Sequence, residues 1–150
     1  MPDRRQWMKS LLASMAVGLT GRRAQATTLR QYYDVQWYYN PTTTYYYTYY
    51  YYRPQPAAVN YQYHYCIYYP NRPRYIYYYN PVNRVYWGRF DLEGKGEDRY
   101  SILAKDDRKS SLESIAESAF PKPAQMPFIP DSDNDLRMDQ PSSKNLPGKI

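Results

Sequence analysis

The chain has 150 residues and a formal net charge of +6, and its 22 Tyr stand against only 23 Leu, Ile, Val and Phe together. An aliphatic and Phe content this low is typical of sequences that bury too little apolar surface to fold. Because 13 Pro also interrupt the chain, the composition argues against a large enzyme with a deep pocket. It predicts a mostly disordered, low-complexity protein.

The first 26 residues have the organisation of an export signal. A basic head precedes a short apolar stretch from Leu11 to Leu19 and a small-x-small cleavage site at Ala24 and Ala26. This stretch is much shorter than the roughly 20 residues of a membrane span, so we expect cleavage rather than permanent anchoring. The segment carries a net charge of +4, which leaves +2 for the remainder and argues against nucleic acid as a partner.

The basic head reads Asp3, Arg4, Arg5, Gln, Trp7, Met, Lys9. It resembles the bacterial twin-arginine export signal, in which two Arg precede bulky apolar residues and a Lys, although Asp3 replaces the usual Ser or Thr. The resemblance covers the signal alone and implies transport across an inner membrane, with membrane contact only during export. We therefore expect a periplasmic, cell-envelope or extracellular protein. The alternatives to a twin-arginine signal are an ordinary Sec signal and a frayed basic terminus.

Residues 27–84 form a low-complexity block, since 21 of the 22 Tyr lie between Tyr32 and Tyr86. Tyr runs end at Pro at irregular intervals, which argues against a solenoid or propeller, and Asn before Pro favours a turn. Consecutive Tyr place rings on both faces of an extended chain, so the pattern specifies no buried face. It predicts transient strands rather than a stable sheet.

The same block combines aromatic rings and phenolic hydroxyls with Arg53, Arg72, Arg74 and Arg84, and contains no Lys. Each exposed cation–π contact between Arg and Tyr is worth about 0.5–1 kcal/mol, so many of them favour self-association. The leading interpretation is a structural or matrix-type protein of the envelope. The alternatives are an envelope polysaccharide-binding protein, a protein that docks on a partner, and a disordered spacer with no specific ligand.

The single His and the single Cys, His64 and Cys66, lie two residues apart. Two ligands do not complete a metal site, which normally needs three or four, so we predict no metal and no cofactor. One Cys excludes an intrachain disulfide. In an oxidising compartment, however, Cys66 is a candidate for a disulfide between two chains.

Residues 85–120 carry the most organised pattern in the chain. Val85 to Leu92 predicts a strand with Tyr86, Phe90 and Leu92 on one face, 93–96 predicts a turn, and 99–104 predicts a return strand. This pattern indicates a β-hairpin.

After the hairpin, Ser110 and Glu113 form a capping-box pattern ahead of apolar residues at helical spacing, and Pro121 ends it. The sequence therefore predicts a small ββα segment. Such a segment is too small to be stable alone and would bury its apolar face against a partner or against the rest of the chain. The candidate docking residues on it are Trp87, Phe90 and Phe120.

Residues 121–150 are Pro-rich and then acidic, which predicts a disordered tail. The acidic cluster lacks the Gly and the closing Glu of a calcium-binding EF-hand loop, because Leu136 stands at the Gly position. The sequence also offers no nucleotide-binding loop, catalytic triad or metal-binding helix motif. We therefore predict that the protein is not an enzyme and has no catalytic residues.

Overall fold

The structure, a computed structural model, describes residues 29–147. From Gln31 onward the chain forms a curled antiparallel sheet of seven strands, a half-barrel. The strands follow one another as an up-and-down meander, and β1 and β2 both pair with β3. The strands are β1 Gln31–Tyr33, β2 Tyr38–Asn40, β3 Tyr45–Tyr52, β4 Gln62–Tyr68, β5 Tyr75–Asn80, β6 Val85–Asp91 and β7 Tyr100–Ile102.

Two Asn-Pro pairs open matching turns, between β2 and β3 and between β5 and β6. The Asn40 Oδ1 atom accepts a hydrogen bond from the Thr42 amide at 3.0 Å, and the Asn40 carbonyl accepts one from the Thr44 amide at 2.8 Å. Asn80 makes both bonds again, at 2.9 and 2.8 Å. Thr44 and Arg84 end the two turns with left-handed φ values of 57° and 59°. The Asn-Pro pairs are therefore turns, as their sequence predicts.

One face of the sheet, which we name the front face, carries the even-numbered side chains of β3, β4 and β5. Tyr50 and Tyr78 are 0% exposed there, and Tyr68 is 2% exposed. The chain after β7 returns across this face and adds to the same core. The covering residues are Met126, Ile129, Met138 and Leu146.

The prediction of a mostly disordered chain is therefore wrong, and the reason is the chemistry of Tyr. A Tyr ring buries about 150–250 Å², provided that its hydroxyl finds a partner. In the core, the hydroxyls of Tyr33 and Tyr78 share a hydrogen bond of 2.7 Å, and the Tyr50 hydroxyl donates to Gln31 Oε1 at 2.6 Å. Tyr thus takes the place of the missing Leu, Ile and Val.

The prediction of a disordered tail is also wrong within residues 121–147, because this segment supplies the side chains that cover the front face.

The opposite face, the back face, carries the odd-numbered side chains of the same strands. Residues 103–120 pack over its β4–β6 part, where Ile67 and Tyr77 are each 2% exposed. The covering side chains are Leu103, Leu112, Ile115 and Phe120. Both faces are thus partly covered, the front face by residues 126–146 and the back face by residues 103–120.

The prediction of a separate ββα segment is wrong. The hairpin exists, as β6 and β7, but it continues the seven-stranded sheet rather than forming a separate unit. The predicted helix is wrong: short 3₁₀ turns at Leu112–Ser114 and Glu117–Ala119 replace it, and Ile115 between them is extended, with φ −104° and ψ 118°. This extended link lets Leu112, Ile115 and Phe120 all reach the sheet.

The prediction that Tyr86 and Phe90 share one face of β6 is wrong, because β6 contains a β-bulge. The register shifts between Tyr78 and Tyr79, so that Tyr78 pairs with Gly88 whereas Tyr79 pairs with Tyr86. Such an extra residue reverses the side-chain alternation. Tyr86 therefore belongs to the back-face core and Phe90 to the front-face core.

Among residues 29–147, no helix has the length and apolar character needed to cross a bilayer.

Candidate functional site

Eight Tyr side chains form a continuous patch on the back face, over β1 to β4 and beside the part that residues 103–120 cover. They repeat every second residue along the strands, which places them on one face. Cross-strand pairing then brings neighbours together, as for Tyr51 opposite both Tyr32 and Tyr63. We define the tyrosine patch as Tyr32, Tyr38, Tyr47, Tyr49, Tyr51, Tyr61, Tyr63 and Tyr65.

Tyr49 lies at the centre of the tyrosine patch. Its ring contacts five other rings of the patch, with centroids 5.3–6.0 Å apart. The contact with Tyr51 is stacked, with an interplanar angle of 22°, and the contact with Tyr63 is edge-to-face, at 75°. Each such aromatic pair contributes about 0.5–1.5 kcal/mol beyond the area it buries. The patch is therefore an ordered aromatic surface on a folded sheet.

The tyrosine patch is neutral at physiological pH. Burial raises the pKa of Tyr49 above its ordinary value of 10.0, and the neighbouring phenols raise it further. Two charged groups of the described residues lie at its margin: Asp34 accepts a hydrogen bond from the Tyr38 hydroxyl at 3.4 Å, and the Arg53 guanidinium lies 5.4 Å from the Tyr61 ring centroid. The patch thus presents ring edges and uncharged hydroxyl groups.

Two of the four Arg in the Tyr-rich block make side-chain contacts inside the chain. Arg74 pairs with Asp91 at 3.0 Å and lies 5.6 Å from the Tyr75 ring centroid, and Arg53 lies beside Tyr61. The other two predicted adhesive Arg, Arg72 and Arg84, are exposed in loops. Part of the predicted Arg–Tyr attraction is therefore used within one molecule.

The structure places the predicted docking residues on two faces rather than on one surface. Phe90 is 1% exposed in the front-face core, and Trp87 is half-buried against the same core. Phe120 lies on the back face, where the buried guanidinium of Arg89 packs 4.0 Å from its ring centroid. All three side chains pack inside the chain.

His64 and Cys66 lie side by side on the front face, 0% and 1% exposed. Within the described part of the chain, neither ring nitrogen of His64 has a hydrogen-bond partner, and the ring packs edge-on against Tyr52 and Trp87, with centroids 5.5 and 5.3 Å away. No group of three potential metal-ligating side chains occurs among residues 29–147. Burial lowers the pKa of His64 to about 4, with Arg108 adding to the shift. At neutral pH the imidazole is therefore uncharged.

Cys66 should react slowly with thiol reagents in the folded protein. It lines a cavity of about 330 Å³ but is only 1% exposed, and burial raises the pKa of its thiol well above the ordinary value of 9.0. Because the thiolate is the reactive form, we expect alkylation by iodoacetamide to be at least ~100-fold slower than in denaturant, as followed by mass spectrometry. Equal alkylation rates in the folded and the denatured protein would contradict the burial of Cys66.

An interchain disulfide at Cys66 remains a prediction. It would require local opening of the fold, and non-reducing electrophoresis of the native protein tests it.

Sequence reasoning missed the tyrosine patch because it treated the Tyr runs as uniform. A signal was present in the residues that interrupt the runs, most of which stand at even positions: Thr48, Gln62, His64, Cys66 and Ile76, with Ile67 as the exception. In the sheet, Thr48 pairs directly with Cys66. Aligning these interruptions separates a front face with mixed residues from a back face of Tyr.

The predicted signal residues Arg4, Arg5, Trp7 and Lys9, and the predicted cleavage site at Ala24 and Ala26, lie outside the described residues, so export stays a prediction. No protein-family model matches the chain, and searches of curated proteins and of solved structures gave no significant match. Function must therefore be argued from the tyrosine patch itself.

Proposed function

We propose that the protein is a structural, non-enzymatic component of a bacterial envelope that associates with further copies of itself through the tyrosine patch. The observation that carries the proposal is a neutral surface of eight contiguous Tyr on an ordered sheet. Within residues 29–147, six of these eight Tyr belong neither to the front-face core nor to the back-face core. Two Tyr of the patch are exposed and six are partly exposed, and contiguous apolar patches at the surface of a protein often mark interaction sites.

The chemistry of the patch favours a second copy as its partner. Phenols donate and accept hydrogen bonds equally well, so two identical patches are complementary. A twofold contact brings the same surface of each copy together, and a neutral patch avoids the like-charge repulsion that a charged patch would suffer there. Tyr is enriched at such interfaces.

Nucleic acid is a poor fit, because the affinity of a protein for nucleic acid depends on Lys and Arg contacts with phosphate, whereas Arg53 lies only at the margin of the patch.

Placement in the envelope rests on the export-like sequence before residue 27, with its basic head, short apolar stretch and small-x-small site. A neutral patch suits a matrix role, since its contacts are weakly affected by the ionic strength of the surroundings.

Introducing charge at the two most exposed positions of the patch should weaken self-association at least ~10-fold, which corresponds to about 1.4 kcal/mol. Tyr32 is 39% exposed and Tyr61 is 36% exposed, so Tyr32→Lys and Tyr61→Lys are tolerated by the fold but place like charges in the contact. Sedimentation equilibrium of the full chain over a concentration series measures the effect.

The matched control is Val82→Lys, because Val82 is 83% exposed in the β5–β6 turn, outside the patch. It adds the same charge and should leave association unchanged. Association that is equally strong in all three variants would exclude the patch as the contact. A chain that stays monomeric but sediments with insoluble neutral polysaccharide, and loses this binding in the Tyr32 and Tyr61 variants alone, would support the polysaccharide alternative instead.

A further inference from the structure

Two exposed Tyr of the patch lie in ring contact with each other. Within residues 29–147, the three most exposed Tyr side chains are Tyr39, Tyr32 and Tyr61, at 51%, 39% and 36%. The rings of Tyr32 and Tyr61 meet edge-to-face, with centroids 5.1 Å apart and an interplanar angle of 81°. Tyr39 instead contacts Tyr46, which is half-buried, at 4.9 Å. Tyr32 and Tyr61 thus combine access for an oxidant with contact between the reacting rings.

We propose that Tyr32 and Tyr61 are a modification site, at which a one-electron oxidant joins them by a dityrosine bond within one chain. The proposal goes beyond self-association and does not depend on it, since both rings belong to the same molecule. The oxidant class is hydrogen peroxide acting through a haem peroxidase, whose active species oxidises accessible phenols one electron at a time.

Each phenol loses one electron and its hydroxyl proton and becomes a phenoxyl radical. The two radicals form a carbon–carbon bond between ring positions ortho to the oxygens, and the hydrogen on each of these carbons then moves to oxygen, which restores both aromatic hydroxyls. In all, two phenols release two electrons and two protons, and peroxide takes them up to give two water molecules.

The sheet holds the two rings side by side. Tyr32 lies on β1 and Tyr61 directly precedes β4, and both rings lie against Tyr51 of β3, which is stacked on Tyr32 at 4.9 Å and 6.5 Å from Tyr61. The cross-link would therefore tie the edge strand β1 to β4 across β3. Edge strands are the part of a sheet most prone to separate or to pair with other chains. The bond would hold this edge closed.

The test is oxidation of the dilute full chain with peroxide and a haem peroxidase, followed by isolation of the monomer under denaturing conditions. We expect dityrosine fluorescence in the monomer fraction and, after digestion, a linked peptide pair containing both Tyr. Its mass should be two hydrogens less than the sum of the two peptides. The denaturation midpoint of the cross-linked monomer should be higher than that of untreated protein.

Phe variants provide the controls, because Phe keeps the ring but cannot form a phenoxyl radical. Tyr32→Phe and Tyr61→Phe should each lower the monomer signal at least ~10-fold, whereas Tyr39→Phe should leave it unchanged. Near-ultraviolet circular dichroism confirms that each variant keeps its packing. Cross-links found only in oligomers, links in the monomer that join a different pair, or an unchanged signal in Tyr61→Phe would each overturn the proposal. Since the readout comes from monomer, it stands or falls separately from self-association.

Discussion

Acidification from pH 7 to pH 4 should cost the fold about 3 kcal/mol through His64 alone. His64 is fully buried, and burial lowers its pKa from 6.5 to about 4 in the folded chain. Between pH 6.5 and pH 4, His64 therefore binds a proton in the unfolded chain but stays largely unprotonated in the folded chain. Because a lowered His pKa favours unfolding once the pH falls below the unfolded value, the loss grows between pH 6.5 and pH 4 and then levels off.

The variant His64→Phe isolates this contribution. Phe fills the same aromatic site beside Tyr52 and Trp87 and removes two ring nitrogens that have no hydrogen-bond partner, so it should be neutral or stabilising at pH 7. Urea unfolding at several pH values should show a wild-type free energy of unfolding that falls about 3 kcal/mol further than that of the variant. Carboxylates such as Asp91 titrate alike in both proteins and cancel in this comparison. Parallel pH curves would show that His64 is hydrated or partnered in solution.

Local signals in the sequence predicted the local parts of this structure. The Asn-Pro turns at Asn40 and Asn80 follow from side-chain hydrogen bonds within four residues, and the β6–β7 hairpin follows from strand-forming residues on both sides of a Gly-containing turn. These features need no knowledge of distant residues. They were therefore predictable from the sequence.

The sheet and its tyrosine patch depend on pairing between distant segments. In a run such as 45–52 each Tyr resembles the next, and only the partner strand decides which ring is buried. Tyr50 becomes fully buried because the chain after residue 124 returns over its face, whereas Tyr49, one residue away, stays half-exposed. Composition alone could not reveal this, since a count of aliphatic residues overlooks a core built largely from Tyr rings.

The failure of the predicted helix has a similar origin. Ser110, Glu113 and the apolar residues that follow satisfy a helical pattern, but the segment packs on the back face of a sheet that sequence reasoning did not foresee. Contact with that sheet favours an extended Ile115 over a continuous helix. Tertiary packing thus outweighs the local propensity.

A single methyl group at Gly88 should destabilise the fold by about 2–3 kcal/mol. Gly88 lies in β6 opposite β7, and a Cβ atom there would come within 2.6 Å of both the Ser101 carbonyl oxygen and the Tyr100 ring. The carbonyl belongs to the neighbouring strand and the ring is fully buried, so neither can move without disturbing the sheet. Gly88→Ala should accordingly lower the urea midpoint and expose the end of the sheet at β7 to faster amide hydrogen exchange.

Gly94→Ala is the matched control, because it makes the same change in the β6–β7 connection. Its Cβ would lie 3.1 Å from Cγ of Arg99, whose guanidinium donates hydrogen bonds to the carbonyl oxygens of Asp91 and Leu92. This contact needs a shift of only a few tenths of an ångström, so we expect a loss below about 1 kcal/mol. The comparison separates steric exclusion from the general loss of Gly flexibility in the unfolded chain, which would stabilise both variants slightly. If the two variants had equal stability, the close approach of Tyr100 to the backbone of β6 would be wrong, and with it the packing of β7 against the Tyr core.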